Sequence, residues 1–440
     1  MDKETIINTN TSAAVVTDQL WFARTILHCD LNNFFASVEC LYDPALKGVT
    51  MAVGGSIEDR HGIILAKNEA AKRYGVKTAQ TIGEAKSLCP GLVIVPPHYE
   101  KYLKFSRAVR KIFLDYTPLV EPFGIDEAWL DITHCASSYG GGKALADIIR
   151  ERVKFELGIT LSVGVSFNKV FAKLGSDMKK PDGTTVIGAS EFRDKIWGLP
   201  AQDLLCVGRS TQKKLNKCGI YTIGEIAQSG RIFMEKIFGK CGGVLWEYAN
   251  GMECSPVSEY GVFSDVKSVG NSSTSPFDIT SPEAARALIM VLCESVGTRL
   301  REHGMRCGNV AVSARTKTLV TSEKSEKLKS PILSTRALYE NAVRIFEGWY
   351  DWKEPIRSIG VRAQSLSVGT GTQISLFEDE YSAEEIDRVI DSLGRRFGYG
   401  TVTRGRAMLH RIRERPPLAF GAASRGAHDP TLPPAEIEVC

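Results

Sequence analysis

Residues 123–132, FGIDEAWLDI, place two adjacent acids, Asp126 and Glu127, inside an apolar run that is otherwise typical of a buried strand. A buried carboxylate is costly unless it is paired or bound to a metal ion. Neighbouring residues of a regular strand point to opposite faces, so both acids can serve one site only where the strand breaks. Gly124 favours such a turn or bulge. Asp131, at the outer end, is interpreted as a strand-end or hairpin residue outside the site.

A third acid, Asp30, ends another apolar stretch, residues 25–30, which is predicted to be a buried strand. Three carboxylates at the ends of adjacent strands would form an oxygen-rich site for hard divalent cations. Such a site suits phosphoryl transfer with two metal ions. The residues alone leave an alternative open, in which the acids are solvent-facing residues of a hairpin.

Length and composition are those of an ordinary globular chain with more than one core. The chain has 440 residues and a net charge of +4, which permits a nucleic-acid partner without arguing for one. Its eleven cysteines form no C-x-x-C pair and its seven histidines are scattered, which indicates free thiols and no zinc site. The N-terminus lacks the pattern of a signal peptide, and no apolar run approaches the roughly 18 residues of a membrane span. We therefore expect a cytoplasmic protein with no membrane partner.

Composition and hydrophobic periodicity change along the chain, which predicts separate segments. Residues 1–22 are expected to form a flexible extension, and residues 44–97 a small α/β insertion. Residues 191–250 are predicted to be helical with short loops, and residues 263–368 to mix helices with strands. One more helix is predicted near 382–397, followed by a Pro/Gly-rich tail.

Three segments together resemble the motifs of the Y-family, translesion DNA polymerases, in particular their bacterial UmuC/DinB-like branch. They are HCDLNNFFASVE at residues 28–39, FGIDEAWLDI at 123–132, and SVGVSFNKVFAKLGSDMKKPDG at 162–183. The second motif usually contains Ser-Ile-Asp-Glu in that family, whereas this chain has glycine in place of the serine. The motifs follow the family's order and spacing.

The resemblance implies an α/β (α+β) fold shaped as a right-hand polymerase, with a ferredoxin-like palm, small fingers, a helical thumb and a separate βαββαβ-like little-finger domain. The implied domains correspond to the segments above. They are the palm at 23–43 and 98–190, the fingers at 44–97, the thumb with a helix-hairpin-helix at 191–250, a linker at 251–262, the little finger at 263–368 and a tail at 369–440.

The resemblance also assigns the acids to a metal site. It implies that Asp30, Asp126 and Glu127, with the main-chain carbonyl of Leu31, hold two Mg²⁺ ions, and that Asp126 and Glu127 are catalytic. Phe35, five residues after Asp30, matches the family's steric gate. A large ring packed against the sugar leaves no room for a ribose 2′-hydroxyl.

Several further residues are implied to lie next to the incoming nucleotide. Asn33 stands where some relatives have an aromatic residue, and Phe34 adjoins the gate, although it is also the better core candidate. Lys180 matches a lysine that contacts the triphosphate in that family, with Lys179 as a rival.

The insertion departs from the family pattern in KNEAAKRYGVK, residues 67–77. Glu69 and Lys72 stand where the family often has a tyrosine and an arginine that touch the triphosphate. Lys72 can act as a point charge, but without the bidentate fork of arginine. An ionised Glu69 cannot donate a hydrogen bond, so the contact of this segment with the nucleotide is left open.

Two regions are implied to hold DNA. CVGRSTQKKLNKCGI, residues 206–220, resembles a helix-hairpin-helix, in which Gly208 would lie in the turn with Lys213 and Lys214 behind it. A plain helical turn is the alternative. From residue 301 to 329 there are seven Lys or Arg against three acids, which suits backbone binding but is equally typical of a solvated face.

Residues 373–377, QISLF, resemble the peptide by which bacterial polymerases dock on the sliding clamp. In such a peptide Gln373 would fix the register, while Leu376 and Phe377 fill an apolar pocket. Accessory subunits cannot be deduced from the sequence.

The sequence thus predicts a template-directed DNA polymerase that adds dNTPs to a primer 3′-hydroxyl on primer-template DNA, with low fidelity, in translesion synthesis. A nucleotidyl cyclase with a related palm is the enzyme alternative, because FGIDE faintly resembles its acidic hairpin. An inactive relative that only binds DNA and the clamp is the other alternative. The presence of all three acids argues against it.

Overall fold

The structure, a computed structural model, describes residues 23–56, 60, 62–262, 266–368, 380–398 and 400–408. The chain divides into two compact units. The first comprises Met1–Gly54 and Ile64–Val262, and the second comprises Gly55–Ile63 and Phe263–Cys440.

The first unit mixes short strands with helices. Its strands are β1 (Ile26–Leu31), β2 (Met51–Gly54), β3 (Ile64–Lys67), β4 (Val93–Val95), β5 (Val120–Pro122), β6 (Glu127–Asp131), β7 (Leu161–Ser166) and β8 (Thr184–Ile187). Its helices are α1 (Phe34–Tyr42), α2 (Glu69–Arg73), α3 (Ile82–Leu88), α4 (Tyr99–Leu114), α5 (Gly142–Leu157), α6 (Lys169–Met178), α7 (Phe192–Ile196), α8 (Arg209–Lys217), α9 (Ile223–Gln228), α10 (Arg231–Phe238) and α11 (Lys240–Ala249).

Strand β1 is the centre of a five-stranded sheet with the order β5-β6-β1-β7-β8. It is antiparallel to β6 and β7, and β8 pairs in parallel with β7. Every residue of β1 is buried, because both faces of the strand are covered. Leu27, Cys29 and Leu31 pack in the core with α1, α4 and α5. The alternate residues, which include His28 and Asp30, point to the face where α6 lies.

Helix α6 lies so close to β7 that the contact requires glycine. A Cβ at Gly164 would lie 1.8 Å from the carbonyl oxygen of Ala172 and 2.5 Å from the amide nitrogen of Ser176. Both are backbone atoms of α6, so neither can move without shifting the helix. Gly164 therefore sets the depth at which α6 rests on the sheet.

The insertion after α1 forms a small sheet of its own, in the order β3-β2-β4. Its helices begin at good N-caps. The Asn68 side chain accepts a hydrogen bond from the Ala71 amide at the start of α2, and Thr81 and Glu84 form a capping box at the start of α3. The capped helices cover the sheet with a small apolar core that includes Ile64.

The chain from α7 to α11 is helical, and its apolar core is shared with Phe171 and Leu174 of α6 and Ile187 of β8. After α11 it returns to the larger sheet. Arg24 donates to the carbonyls of Glu253 and Ser255 at 3.3 and 3.0 Å, and the Ser258 amide donates to the Glu121 carboxylate at 2.8 Å. The segment predicted as a linker is thus bonded to the first unit over part of its length.

The second unit follows the order β9-α12-β10-β11-α13-β12, the predicted βαββαβ pattern. Its elements are β9 (Ser268–Ile279), α12 (Pro282–Glu302), β10 (Met305–Thr316), β11 (Thr321–Ile332), α13 (Thr335–Glu347), β12 (Ile356–Val368), α14 (Glu380–Phe397) and α15 (Gly405–Met408). The strands form an antiparallel sheet in the order β11-β10-β12-β9, with α12 and α13 packed on one face. The edge strand β11 is mostly exposed and carries Lys324, Lys327 and Lys329. The mixed α/β fold class predicted from the sequence is confirmed.

No helix in the described part of the chain is both long and apolar enough to cross a membrane. The cysteines in the same part are free thiols. Several of them are buried and pack as small apolar residues, for example Cys29 in the core beside β6.

Replacing Gly164 with alanine is expected to destabilise the protein by about 1–3 kcal/mol or more, because the new methyl group must push α6 off the sheet. Gly83→Ala is a matched control, since a Cβ at this position in α3 meets nothing within 4 Å. It is expected to be neutral or to stabilise by up to about 1 kcal/mol. Urea unfolding of both variants measures the difference, and equal unfolding midpoints would contradict the close packing of α6.

Candidate active site

The three predicted acids lie at one end of two neighbouring strands. The register of β1 and β6 sets Asp30 opposite Glu127. Asp126 precedes β6, in the turn at residues 123–126 that joins β5 to β6. Its carbonyl accepts a hydrogen bond from the Leu31 amide at 3.0 Å, which ties the turn to β1. The strand break required for both adjacent acids to serve one site therefore lies at Asp126.

Helix α4 holds this turn from outside. The Arg110 guanidinium donates to the Gly124 carbonyl at 2.7 Å, and the Ser106 hydroxyl donates to the Ile125 carbonyl. The irregular backbone of the turn is thereby satisfied without a continued ladder. The turn is anchored from both sides, which fixes the position of Asp126.

Two of the three carboxylates are paired with lysines. Lys180 Nζ lies 2.7 Å from Asp30 Oδ2 and 2.8 Å from Asp177 Oδ1. Lys173 Nζ bonds Glu127 Oε2. These ion pairs turn the carboxylates toward the lysines. In the described residues no three Asp, Glu, His or Cys side chains are already grouped as metal ligands.

Burial and the neighbouring charges shift the pKa values of the three acids in different directions. Burial raises the pKa of Asp126 to about 7, and the nearby charges of Glu127 and Asp30 add to this effect. Burial alone would also raise the pKa of Glu127, but His28 and Lys173 together lower it to about 2. Burial raises the pKa of Asp30 despite the opposing charge of Lys180. The site thus concentrates negative charge that its lysines only partly balance.

A cavity of about 340 Å³ opens at these acids. Its lining combines the three carboxylates with lysines, amides and a few apolar groups. The lining residues are Asp30, Leu31, Asn32, Asn33, Phe34, Leu65, Ala66, Lys67, Glu69, Lys72, Thr78, Asp126, Glu127 and Lys180. Carboxylate and carbonyl oxygens are the ligands that Mg²⁺ prefers, so this donor set fits a divalent cation. The lysines opposite suit a polyanionic ligand.

Of the two candidate lysines after α6, the structure brings Lys180 to the cavity, whereas Lys179 is exposed. Lys67 also lines the cavity, although the sequence analysis did not single it out. Its ammonium donates to the Thr78 hydroxyl at 3.2 Å. Burial and the nearby charge of Lys72 lower the pKa of Lys67. Its position at the end of a strand that runs into the capped helix α2 was the available signal.

The unusual residues Asn33 and Glu69 contact each other. Asn33 Nδ2 donates to Glu69 Oε1 at 3.0 Å, and Lys72 Nζ lies 3.5 Å from the same oxygen. Asn33 is the N-cap residue of α1, with a left-handed φ of 49°, but its side chain makes no capping hydrogen bond. The amide instead satisfies the carboxylate across the cavity.

Phe34 and Phe35 have different surroundings. Phe34 is buried in the core beneath the sheet and also lines the cavity. Phe35 is half-buried and does not line the cavity. Its ring stacks on Tyr102, with centroids 4.1 Å apart and planes inclined by 8°, and meets the edge of Tyr99. Two aromatic rings of α4 therefore fix the orientation of Phe35.

The predicted thumb residues lie apart from this cavity. Gly208 is the N-cap of α8, and a Cβ there would meet nothing within 4 Å. Lys213 and Lys214 are exposed on α8. The element before the turn is a single 3₁₀ turn, Ala201–Asp203, rather than a full helix. Gln373, Leu376 and Phe377 lie outside the described residues.

Two residues that touch Glu127, Lys173 and His28, were not predicted from the sequence. Lys173 is four residues after Lys169 and seven before Lys180, the spacing of one helix face. His28 is two residues before Asp30, on the same face of β1. The signal for His28 was its alternation with an acid that had already been identified, whereas the signal for Lys173 was only its spacing from other lysines.

Comparison with known proteins gives matches over most of the chain. The model of the impB/mucB/samB family matches residues 29–177, and the model of its C-terminal domain matches residues 266–376. DNA polymerase IV of Acetivibrio thermocellus is 50% identical over 386 residues, which cover 87% of this chain and 97% of that protein. DNA polymerase IV of Clostridium acetobutylicum is 34% identical over 390 residues, which cover 87% of this chain and 98% of that protein.

A solved structure is also similar. A Y-family DNA polymerase chimera matches with a TM-score of 0.69 and 25% sequence identity, and the match covers 78% of this chain and 99% of that chain. The first of the regions matched by the family models contains Asp30, Asp126 and Glu127. The site described above thus belongs to the part of the chain that is similar to these proteins.

The aromatic stack under Phe35 depends on Glu39, which leads to a pH-dependent prediction. Buried Glu39 accepts from the Tyr102 hydroxyl at 2.5 Å, and His98 and Lys101 lie 2.8 and 3.2 Å from its oxygens. Burial alone would raise the pKa of Glu39, but these three partners lower it below its usual 4.5. Glu39→Gln is therefore expected to cost about 1–3 kcal/mol of unfolding free energy near neutral pH.

The sign of the pH dependence follows from the lowered pKa. Because Glu39 is more acidic when folded, its contribution is complete above pH 4.5 and is lost as the pH falls through the folded-state pKa. Urea unfolding of both proteins over a pH series should show their difference shrinking in acid. A difference that is constant with pH would contradict the ionised network.

Proposed function

The chain belongs to the impB/mucB/samB family of Y-family DNA polymerases, and we propose that it adds dNTPs to a primer 3′-hydroxyl by a two-metal mechanism in translesion synthesis. It is a DNA-directed DNA polymerase, so its substrates are primer-template DNA and dNTPs. The observation that carries the proposed mechanism is the position of Asp30, Asp126 and Glu127 at one cavity that also contains lysines.

Asp30, Asp126 and Glu127, with the Leu31 carbonyl, are the residues that would hold two Mg²⁺ ions. Such ions supply activation of the attacking hydroxyl and neutralisation of the charge on the leaving pyrophosphate. Asp126 is the strongest candidate, because burial and its acidic neighbours raise its pKa and no lysine bonds it among the described ion pairs. A divalent cation would relieve this concentration of like charge.

The lysines of the cavity have a separate role in the proposal. Lys180 and Lys72 bind the triphosphate and orient its phosphates for in-line attack on the α-phosphate. Both must exchange a carboxylate partner for phosphate, since Lys180 pairs with Asp30 and Lys72 with Glu69. A triphosphate carries several negative charges whereas each carboxylate carries one, which favours the exchange.

Low fidelity is proposed from the size of the insertion. Its helices α2 and α3 have five and seven residues, which is too short to build a long helix that closes over the nascent base pair. An open site tolerates a damaged template base because little shape selection is applied to the pair. This supports the assignment to lesion bypass.

Further partners are proposed from surface residues. Gly208 at the start of α8, with exposed Lys213 and Lys214, suits contact with a DNA phosphate. The proposed docking of residues 373–377 on a sliding clamp depends on the sequence pattern. The nucleotidyl cyclase alternative leaves both features without a role, and its family is not the one to which this chain belongs.

Asp126→Asn tests the metal assignment. The substitution preserves volume but removes a charge, so primer extension with Mg²⁺ should fall by about 10³-fold, which corresponds to several kcal/mol of lost stabilisation. Asp115→Asn is the matched control, since Asp115 lies on the surface and pairs with Arg152. Equal extension by wild type and Asp126→Asn would refute the assignment.

Phe35→Ala tests the steric gate. Removing the ring should admit ribonucleotides and lower the dNTP-over-NTP preference by roughly 10²-fold, because the 2′-hydroxyl would no longer meet a side chain. Tyr42→Ala, an exposed aromatic residue on the same helix, is the control and should leave the preference unchanged. Single-nucleotide incorporation with matched dNTP and NTP measures the ratio. If Phe35→Ala keeps the wild-type dNTP-over-NTP preference, Phe35 is not the residue that excludes ribonucleotides.

A further inference from the structure

His28 is a fully buried polar residue directly behind the acids. Its side chain has no exposed surface, and its ring packs at 5.4 Å from that of Trp129. Nδ1 lies 2.8 Å from the Ser176 hydroxyl of α6. When this hydroxyl donates to Nδ1, the single proton of the neutral imidazole lies on Nε2. The imidazole is thereby held in a fixed orientation between the sheet and α6.

The other ring nitrogen points at Glu127. Nε2 lies 3.2 Å from Glu127 Oε2, yet it makes no aligned hydrogen bond within the described residues. The same oxygen, Glu127 Oε2, already accepts a hydrogen bond from Lys173. A buried imidazole nitrogen without an aligned partner is costly. Such a cost is explained if the carboxylate has a second orientation that completes the bond.

The second orientation follows from the two oxygens of the carboxylate. If Lys173 releases Oε2, a small rotation aligns this oxygen with Nε2, and Oε1 can then turn toward the cavity that Glu127 lines. Holding one oxygen of a ligating carboxylate fixes the direction of the other, which is how outer partners orient metal ligands. The fixed imidazole is suited to this task, because Ser176 prevents the ring from turning.

We propose that His28 is a positioning residue, which holds one oxygen of Glu127 so that the other faces the metal position. The inference rests on the proposed two-metal function and adds to it a residue that touches neither substrate nor metal. A purely apolar packing role would be served equally well by leucine or phenylalanine. It would not require that both ring nitrogens lie within 3.2 Å of polar side-chain atoms from different elements.

Metal binding can be measured without turnover. The complex contains the full-length protein, primer-template DNA with a dideoxy-terminated primer, and the matching dNTP. Mn²⁺ is titrated in, and free Mn²⁺ is followed by electron paramagnetic resonance. His28→Leu should weaken the Glu127-dependent Mn²⁺ site by roughly 10–100-fold, the usual effect of removing an outer partner.

The conservative variant separates positioning from packing. His28→Gln keeps an N–H donor that can reach Glu127 and should recover most of the affinity, whereas His28→Leu should not. His134→Gln is a matched control, because His134 is exposed three residues after the end of β6 and is expected to leave Mn²⁺ binding unchanged. If His28→Leu does not fold, Ser176→Ala provides the test, since it frees the ring to turn and should cause a smaller loss of affinity.

The outcomes distinguish this inference from the function on which it rests. Mn²⁺ binding by wild type that Asp126→Asn does not weaken would overturn the proposed metal site itself. Mn²⁺ binding that depends on Asp126 but is equal in wild type and His28→Leu, or in wild type and Ser176→Ala where that variant is needed, would overturn the role of His28 alone. Equal weakening in His28→Leu and His28→Gln would also overturn it, because the N–H donor would then be irrelevant.

Discussion

The antiparallel register between β1 and β6 sets Asp30 opposite Glu127, and the hydrogen bond from the Leu31 amide to the Asp126 carbonyl extends that register into the turn. A slip of one residue would turn Asp30 into the apolar core and bring its apolar neighbours to the cavity. Such a slip is prevented by the burial of Leu27, which belongs to the core face of the same strand. The hydrophobic pattern that folds the sheet therefore also fixes the positions of the acids.

Besides the strand register, the acids of the site need opposite charges nearby. Along β5, β6 and β1, one acid on each strand is matched by a lysine on or just after α6. The pairs are Glu121 with Lys169, Glu127 with Lys173 and Asp30 with Lys180. Three buried or half-buried carboxylates without such partners would repel one another and raise their own pKa values. The close approach of α6 at Gly164 brings the lysines within reach, so a backbone contact supports an electrostatic arrangement.

The fold class and the convergence of the acids could be predicted from the sequence once the local patterns were combined with the resemblance of three motifs to a known family, because the residues alone left a solvent-facing hairpin open. Apolar strand ends carry Asp30 and Asp126, and the adjacency of Asp126 to Glu127 demands a break that the turn provides. The surroundings of Phe35 could not be predicted, because its stacking partner Tyr102 is 67 residues away and belongs to another helix. Long-range contacts of this kind depend on how helices pack, which a one-dimensional pattern does not encode.

The pair Asn33 and Glu69 shows why departures from a family pattern have to be interpreted jointly. Taken singly, Glu69 looks unfavourable, since it adds negative charge where a triphosphate is expected. In the structure its oxygen accepts from Asn33 at 3.0 Å and lies 3.5 Å from Lys72, so an amide and a carboxylate complement each other. The consequence is electrostatic: Glu69 offsets part of the charge of Lys72, and an incoming triphosphate must compete with it. The positive potential on this side of the cavity therefore depends on Lys67 as well as on Lys72.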